Sequence, residues 1–406
     1  MKTAIVNFNG GEYSPKIDAR ADTEKHAGGC RILENMIPSI FGGAEKRPGT
    51  ELVIAGNGYA CYYEAPTPDP TKIGISTPAE LQLVGSTGGS GDWPDNGNYE
   101  LLNNLDMTGV DFIPISGTPT PDSFTGSFDG RYFTISNLSI KEFSRAFQGL
   151  FGHCNGAELE NIILKDVTFT TSTGIDYDYL GCLAGNATNC VITNCYASGT
   201  FILSYSGSET AYCGGLIGQI NIGTTITRCA ANIDITRTNW NLSRTGAFVG
   251  DIDNSTPTIT LTDCYGQGTI TVVPDDDPRD GKMTQTGGFF GQTRAGTEFT
   301  NCYSATVLTY GQSGGDIGGF LGDDSDEANV YSDCFWDGTI DENDLDDIGS
   351  TGNVDNVTKK TTGQMYQQAT FTNWDFDTVW QIDEGTGYPT HQWQKTADIR
   401  RVCKRI

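Results

Sequence analysis

The sequence lacks any long apolar stretch. No segment approaches the 18 consecutive apolar residues expected of a membrane-spanning helix, and the start, MKTAIVNFNGGEYSP, lacks the apolar run of a secretory signal. We therefore expect no membrane insertion, and a chain that stays in a cytoplasm or leaves it by a route other than signal-peptide export. In a reducing compartment its twelve cysteines are not expected to form disulfides by default.

Positive charge is also scarce. The chain has 25 Lys and Arg against 51 Asp and Glu, a formal net charge of -26. Residues 1–55 are balanced and residues 395–406 are basic, so the acidic excess lies between them. Such a surface repels phosphate backbones and anionic lipid, which argues against a nucleic-acid partner. Solubility is the plain interpretation of this charge, and cation binding is the alternative.

Catalytic signatures are few. The chain has three histidines, His26, His153 and His391, and contains no GxSxG, P-loop or HExxH motif. Two carboxylates about 5–10 Å apart can cleave a glycosidic bond. The candidate pairs are Asp106 with Asp111, Glu158 with Glu160, and Asp176 with Asp178. In so acidic a chain, solvated loop carboxylates are the simpler interpretation, and we assign no catalytic residue.

No metal ligand is assigned either. Three acidic loops could bind Ca²⁺, although none has the full EF-hand spacing: 274–280, 323–329 and 341–347. Tyr177 and Tyr179 could stack on sugars or be ordinary surface residues of a strand.

Helical periodicity is weak, and a repeat of short strands takes its place. The 52 glycines and runs such as TITRCAANIDI, with alternating apolar residues, favour a mostly β chain. A GGxxG-like unit recurs about every 33 residues and ends at Gly152, Gly185, Gly218, Gly250, Gly291 and Gly322. A second unit, typified by NCYASG, recurs with Cys195, Cys229, Cys264, Cys302 and Cys334. We predict a β-helix (solenoid) of about six such repeats, because propeller blades need about 40–50 residues.

A solenoid also accounts for the recurring cysteines and glycines. Equivalent positions of successive coils stack about 4.8 Å apart. The five cysteines are therefore predicted to form a ladder of buried thiols, since they lack the close CxxC or CxxH pairs of a zinc site. The repeat glycines are predicted to mark tight corners that only glycine accepts.

These repeats resemble the GLUG motif of bacterial and phage surface proteins, which are β-helical modules of adhesin-like chains. The resemblance covers about residues 74–395, from the entry segment ISTPAELQLVG to the exit segment TTGQMYQQATFTNWDFDTVWQIDEGTGYP. Each segment contains a capping box, at Thr77–Glu80 and Thr361–Gln364, and both are expected to cap the ends of the solenoid. The resemblance implies a scaffold and no particular activity.

The first sixty residues differ from the repeats. IDARADTEKHAGGCRILENMI could form one helix or two, and alternate prolines at 66, 68 and 70 predict an extended linker. Residues 7–50 resemble the N-terminal segment of the tail-nozzle, or tubular tail, proteins of short-tailed bacteriophages. The matching residues are Asn9, Gly10, Gly11, Ser14, Pro15, Arg20, Asp22, Gly29, Cys30, Asn35, Gly42, Gly43, Arg47, Pro48, Gly49 and Thr50. The resemblance implies a docking segment for a tail assembly, in which we expect Arg47 to pair with a neighbouring protein.

Four regions follow: a docking segment of mixed structure (1–61), a Pro-rich linker (62–74), a GLUG-type β-helix with terminal caps (75–395) and a basic tail (396–406). The expected function is that of a non-enzymatic virion protein. It would be made in the host cytoplasm and docked to tail or collar proteins in several copies, and its β-helix would serve as an appendage or adhere to a host-surface glycan. A glycan-degrading tail spike and a bacterial surface adhesin are the alternatives. The basic tail could fold back on the docking segment, contact a neighbouring subunit or fray.

Overall fold

The computed structural model describes residues 68–86, 92–117, 123–141, 147–170, 178–204, 211–238, 243–253, 258–273, 284–294, 296–310, 315–324, 329–340, 344–350 and 354–394. It also describes the backbone of five strands nearer the chain ends, Val6–Phe8, Gly11–Tyr13, Glu51–Ile54, Tyr59–Tyr62 and Val402–Arg405. The chain divides into two compact units, one of residues 68–393 and one that combines residues 1–67 with 394–406. No described helix is long and apolar enough to cross a membrane.

The larger unit is a β-solenoid of about six turns, which confirms the predicted fold class. Each of six coils contributes one strand to each of four sheets, numbered I–IV in order along the coil, and neighbouring strands within each sheet are parallel. Sheet I contains Phe147–Gln148, Asp178–Leu180, Ala211–Gly214, Ser243–Gly246, Gln285–Gly287 and Asp316–Gly318. Sheet II contains Phe151–Asn155, Ala184–Thr188, Ile217–Ile220, Val249–Ile252, Phe290–Thr293 and Leu321–Asp324.

The other two sheets extend further toward both ends of the solenoid. Sheet III contains Ile73–Ile75, Asn98–Leu101, Ser127–Asp129, Glu158–Glu160, Val191–Thr193, Thr225–Thr227, Ile259–Thr262, Thr297–Thr300 and Val330–Ser332. Sheet IV contains Leu105–Asp106, Thr134–Ser136, Ser139–Lys141, Ile163–Thr170, Tyr196–Ser204, Ala230–Thr238, Tyr265–Val273, Tyr303–Tyr310, Cys334–Asp337 and Val357–Lys360.

Alternation within the short strands builds the core. In sheet III the middle residue of successive strands is buried and stacks in register, as Leu159 on Ile192 and Ile192 on Ile226. The flanking threonines of Thr225–Thr227 are only partly covered. Because side chains on a strand alternate between faces, this pattern fills one continuous apolar column inside the coils.

The entry segment lies at the first coils, as its capping box suggests. Pro78–Leu81 is a single helical turn in which the Thr77 hydroxyl accepts a hydrogen bond from the Glu80 amide and the Glu80 carboxylate accepts one from the Thr77 amide. Leu81 is fully buried in the core. The predicted box at Thr361 is confirmed in the same way, at the start of the helical turn Thr362–Met365. A 3₁₀ turn, Gln368–Thr370, follows it.

The exit segment, residues 361–389, packs against the outside of the coils together with residues 390–393, which are included in the exit segment from here on. Met365, Phe371, Trp374 and Trp380 form a second apolar cluster with Tyr265, Tyr303 and Phe335 of sheet IV. The strands Trp380–Gln381 and Thr390–His391 pair antiparallel within this segment. At the last coils, Val357–Lys360 pairs in parallel with Cys334–Asp337. The sequence suggested that this segment caps an end of the solenoid. It instead packs along a side, because its aromatic residues contact an apolar patch on sheet IV.

The described strands of the smaller unit form two antiparallel sheets. Val6–Phe8 pairs with Gly11–Tyr13, and a three-stranded sheet has the order Glu51–Ile54, Tyr59–Tyr62, Val402–Arg405. The C-terminal tail thus returns to the N-terminal part of the chain as a strand. The helix or helices predicted in IDARADTEKHAGGCRILENMI lie outside the described residues.

Candidate functional sites on the solenoid

The five recurring cysteines lie at the start of sheet IV or directly before it and are fully buried free thiols. The thiol of Cys229 lies 3.3 Å from the Thr227 carbonyl oxygen and accepts a hydrogen bond from the Cys195 amide, one coil away. Burial raises the pKa of the Cys195 and Cys302 thiols, so they stay protonated. All five side chains fill the core, and the Cys195 and Cys302 thiols offer no reactive thiolate.

The residue before each of these cysteines forms a sharp corner between sheets III and IV. Asn161, which precedes Ile162, occupies the equivalent position one coil earlier. These six residues, here called the corner row, have φ between 52° and 56°: Asn161, Asn194, Arg228, Asp263, Asn301 and Asp333. Asn and Asp tolerate this left-handed region better than other non-glycine residues. Their side chains also join coils, since the Asn194 amide donates to Asn161 Oδ1 at 3.0 Å. The position before each recurring cysteine is a sequence signal for five of the six members of this row, and none of the six was predicted as a corner from the sequence.

The repeat glycines serve close approach rather than unusual backbone angles. Gly152, Gly185, Gly218, Gly250, Gly291 and Gly322 lie within sheet II strands and are not among the described glycines with positive φ. A Cβ atom at Gly218 would lie 2.5 Å from the Leu180 amide nitrogen and 2.7 Å from the Gly185 carbonyl oxygen. Sheets I and II therefore pack with backbone against backbone at these positions, and any side chain would separate them.

A cluster of charged side chains lies on sheet III near its first coils. Register places Asp129 beside both Glu100 and Glu160 on neighbouring strands. Two cations accompany these acids: Arg131 Nη1 lies 3.0 Å from Glu100 Oε2, and Lys72 Nζ lies 3.3 Å from Asp129 Oδ2 and 3.7 Å from Glu160 Oε1. We call these five residues the charged cluster.

The acids of the charged cluster have different surroundings. Asp129 Oδ1 accepts hydrogen bonds from the Arg131 amide at 2.8 Å and from Asn161 Nδ2 at 3.0 Å. Partial burial, and then the nearby Asp129 carboxylate, raise the pKa of Glu160, which remains half exposed. A carboxyl group whose pKa is raised, standing beside a second carboxylate that is held by hydrogen bonds, is the arrangement of a general acid and its partner. The cluster could therefore support acid-assisted hydrolysis.

The structure shows where the carboxylates of the three candidate pairs lie, as far as they are described. Glu158 and Glu160 lie on the same exposed face of one strand, but it is Asp129 of the neighbouring coil that stands beside Glu160. Asp106 accepts hydrogen bonds from Thr108 and Asn137, which lower its pKa, while Asp111 is exposed. Asp176 and the Asp178 side chain lie outside the described residues. The period of the repeat was the signal that could have paired Asp129 with Glu160.

A shallow depression of about 370 Å³ lies on the outer face of sheet IV. Its polar lining comes from three successive coils: Asp166, Thr168, Ser198, Thr200, Asn232 and Asp234. The strands bend here, where Asp166 has a φ of 56° and the pairing of the strands Ile163–Thr170 and Tyr196–Ser204 shifts register. Carboxylates, an amide and hydroxyls along such a groove offer hydrogen bonds to a polyhydroxylated ligand.

Tyr179 belongs to a stacked row along sheet I and is not a platform for sugars. Its ring lies 4.8 Å from that of Phe147 and 4.9 Å from that of Tyr212, and the Arg244 guanidinium lies 5.0 Å from the Tyr212 ring. Both faces of Tyr179 are therefore covered by neighbouring coils. Tyr177 lies outside the described residues.

A polar row on sheet II runs beside these rings. The Asn186 amide donates to Gln219 at 2.8 Å, the Gln219 amide donates to Asp251 at 2.8 Å, and Arg244 lies 2.9 Å from the buried Asp251 carboxylate. Burial raises the pKa of Asp251, and the Arg244 charge opposes that shift. This network satisfies buried polar groups and holds successive coils in register.

Neither described histidine belongs to a metal site, and no group of three or more potential metal ligands occurs among the described residues. His153 stacks on Phe147, and burial lowers its pKa. His391 is fully buried, its Nε2–H donates to the Asp263 carbonyl oxygen at 2.8 Å, and burial lowers its pKa to about 3. His26 lies outside the described residues.

The acidic loops are described only in part. Loop 274–280 lies outside the described residues, as do 325–328 and 341–343 of the other two. Asp324 accepts hydrogen bonds from Tyr331 and Asn329, Asp344 pairs with Lys359 at 2.8 Å, and Asp347 accepts one from Trp336. Ca²⁺ binding at these loops stays a prediction.

The residues proposed for docking also fall largely outside the described part of the chain. Of that set, only the backbone of Gly11 is described, at the start of the strand Gly11–Tyr13. Their role in assembly, including that of Arg47, stays a prediction.

Comparisons with known proteins agree with the solenoid fold. No protein-family model matches the chain. Over 264 residues it is 30% identical to halomucin of Haloquadratum walsbyi, an alignment that covers 62% of this chain and 3% of halomucin. Its structure resembles that of a Bacteroides ovatus protein described as a "putative immunoglobulin A1 protease", with a TM-score of 0.60 and 19% identity over 80% of this chain and 94% of the other. This likeness shows the fold alone.

Proposed function

We propose that the chain is a structural protein of a bacteriophage tail, docked through its terminal unit, with the solenoid as an adhesive appendage. The observation that carries the proposal is the separation of the chain into two compact units, with both chain ends in the smaller one. The resemblance of residues 7–50 to tail-nozzle proteins supports attachment through that smaller unit. Docking on a tail implies several copies around a rotational axis.

Adhesion is the role that the solenoid surface supports best. Its core is filled by a continuous apolar column, so ligands are left with the outside of the coils. The depression at Asp166, Ser198 and Asp234 presents hydrogen-bonding groups at coil spacing. A host-surface glycan, which repeats hydroxyl groups along its length, is the partner that this surface suits.

Mass spectrometry of purified virions tests whether the chain is a tail protein, and its absence from tails would refute the proposal.

Arg47→Glu should reduce incorporation into particles because it reverses the charge expected to pair with a neighbouring tail protein. Arg294→Glu is the matched control: Arg294 is a partly exposed solenoid arginine paired with Asp253 at 3.2 Å, and incorporation should be unchanged. Equal incorporation of both variants would count against docking through the N-terminal segment.

A glycan-degrading tail spike is the second candidate, and the charged cluster favours it. If Glu160 donates a proton to the leaving oxygen and Asp129 acts as its partner, Glu160→Gln should abolish the release of reducing ends from host capsule or lipopolysaccharide. Glu158→Gln, two positions away on the same face, should retain activity. If Glu160→Gln still releases reducing ends, or if the parent protein releases none, this candidate function is refuted.

A bacterial surface adhesin remains as a third candidate, and fractionation of the source cells would identify it.

A further inference from the structure

The cysteines fall into two groups by their position in the chain. Nine of the twelve are buried in the solenoid. Burial raises the pKa of the Cys154, Cys182, Cys195 and Cys302 thiols, which disfavours the thiolate that thiol–disulfide exchange needs. The remaining three are Cys30, Cys61 and Cys403, all in the unit that contains both chain ends.

Two of these three are direct partners in a sheet. Val402–Arg405 pairs antiparallel with Tyr59–Tyr62, and the register sets Cys403 opposite Cys61. Opposed residues of an antiparallel pair share one face of the sheet, with Cα atoms about 4.5 or 5.5 Å apart. Both separations lie within the range of about 4.4–6.8 Å that a disulfide spans.

The sequence around Cys403 favours its reactivity. RRVCKR places Arg400, Arg401, Lys404 and Arg405 within three positions of the cysteine. Cations beside a thiol stabilise the thiolate, which is the nucleophile in disulfide exchange.

We propose that Cys61 and Cys403 form a redox-dependent disulfide that clasps the two ends of the chain. The reaction is exchange with a low-molecular-weight disulfide such as oxidised glutathione. The Cys403 thiolate attacks one glutathione sulfur and expels glutathione thiolate, and the Cys61 thiolate then attacks the Cys403 sulfur and expels the second. Two protein thiols are oxidised to one disulfide, and one glutathione disulfide is reduced to two glutathione thiols.

The clasp has a clear physical consequence. It closes a ring that contains the whole solenoid, so it restricts the unfolded chain and prevents the strand Val402–Arg405 from separating from its sheet. It stays open in a reducing cytoplasm and closes once the protein meets an oxidising medium. The clasp depends on strand register alone and is independent of the proposed tail function.

The test is a disulfide map of the full-length native protein. The reduced chain is incubated with excess glutathione disulfide, alkylated, and digested with trypsin without reduction. The expected product joins the peptide of residues 47–72 to that of residues 402–404. The intact oxidised chain should also migrate faster on a non-reducing denaturing gel, because the ring makes the denatured chain more compact.

Matched variants make the result specific. Cys30→Ser should keep the linked peptide and the faster band, and Cys403→Ser should lose both. The proposal is overturned if the oxidised parent chain shows no 61–403 link, or if its main link involves Cys30 or a solenoid cysteine.

Discussion

At the scale of single residues, the corner row and the exit segment depend on each other. Trp374 Nε1 donates to the Asp333 carbonyl at 3.1 Å, Trp380 Nε1 to Asp263 Oδ1 at 3.0 Å, and Trp393 Nε1 to the Arg228 carbonyl at 3.2 Å. Each indole N–H thus donates a hydrogen bond to an oxygen atom of a corner-row residue. His391 donates a fourth hydrogen bond to this row, to the Asp263 carbonyl oxygen, and its pKa is lowered by burial.

Acid should weaken the attachment of the exit segment through His391. Its folded pKa of about 3 is below the ordinary value of 6.5, so between these values the unfolded state binds the proton and the folded state does not. Stability from the neutral imidazole is therefore complete above about pH 6.5 and falls as the pH drops toward 3, by about 2–3 kcal/mol at about pH 4.5.

A variant isolates this effect from other titrating groups. His391→Gln keeps a donor for the Asp263 carbonyl but does not titrate, so it should be less stable than the parent at pH 7 and lose part of that deficit at pH 4.5. Denaturant unfolding followed by tryptophan fluorescence measures both free energies. A deficit that is constant with pH would show that His391 is not the group responsible.

At the scale of elements, the close packing of sheets I and II sets the shape of each coil. Glycine recurs because the backbone of one strand lies directly against the strand beside it. Glycine is required because a side chain would clash with the backbone of the neighbouring strand. Replacing one glycine by alanine, which adds a single methyl group, therefore tests the requirement.

Gly218→Ala should destabilise the solenoid by about 2–4 kcal/mol, because the new Cβ would meet backbone atoms of Leu180 and Gly185 that cannot move away independently. Gly363→Ala is the matched control. Gly363 lies in the helical turn Thr362–Met365, and a Cβ atom there would meet no other described atom within 4 Å, so alanine should be neutral or add about 0.5–1 kcal/mol. Thermal unfolding of the two variants compares them, and equal effects would refute the packing argument.

At the scale of the whole molecule, parallel register makes the coils interchangeable units. Ile192 and Ile226 occupy the same buried position one coil apart, and Cys195 and Cys229 follow each of them by three residues. Removal of one complete period should therefore leave every remaining side chain on its proper face.

Deletion of residues 193–226 joins Ile192 to Thr227 in phase and should give a shorter folded solenoid. Deletion of residues 193–225 joins Ile192 to Ile226 and leaves one extra residue, which displaces the corner at Arg228 and turns apolar side chains outward. Circular dichroism and thermal unfolding should show a cooperative transition for the first deletion and a much weaker or absent one for the second. Equal behaviour of the two deletions would mean that register is not what specifies the coil.

The sequence by itself determined the parts of this protein that depend on local patterns. Alternation in runs such as TITRCAANIDI predicts strands, the spacing of Cys195, Cys229 and Cys264 predicts stacked coils, and the capping boxes at Thr77 and Thr361 predict helical turns. All of these follow from residues that are neighbours in the chain or recur at a fixed period. The structure describes the strands, the stacking and both capping boxes as the sequence suggested.

The tertiary structure decided which distant residues meet. It set Asp129 beside Glu160, directed the aromatic exit segment along the corner row, and paired the C-terminal strand with Tyr59–Tyr62. It also showed that the repeat glycines serve close packing rather than unusual backbone angles. These outcomes depend on contacts between residues far apart in the chain, and the free energy of such contacts is set by how whole surfaces fit together rather than by local sequence.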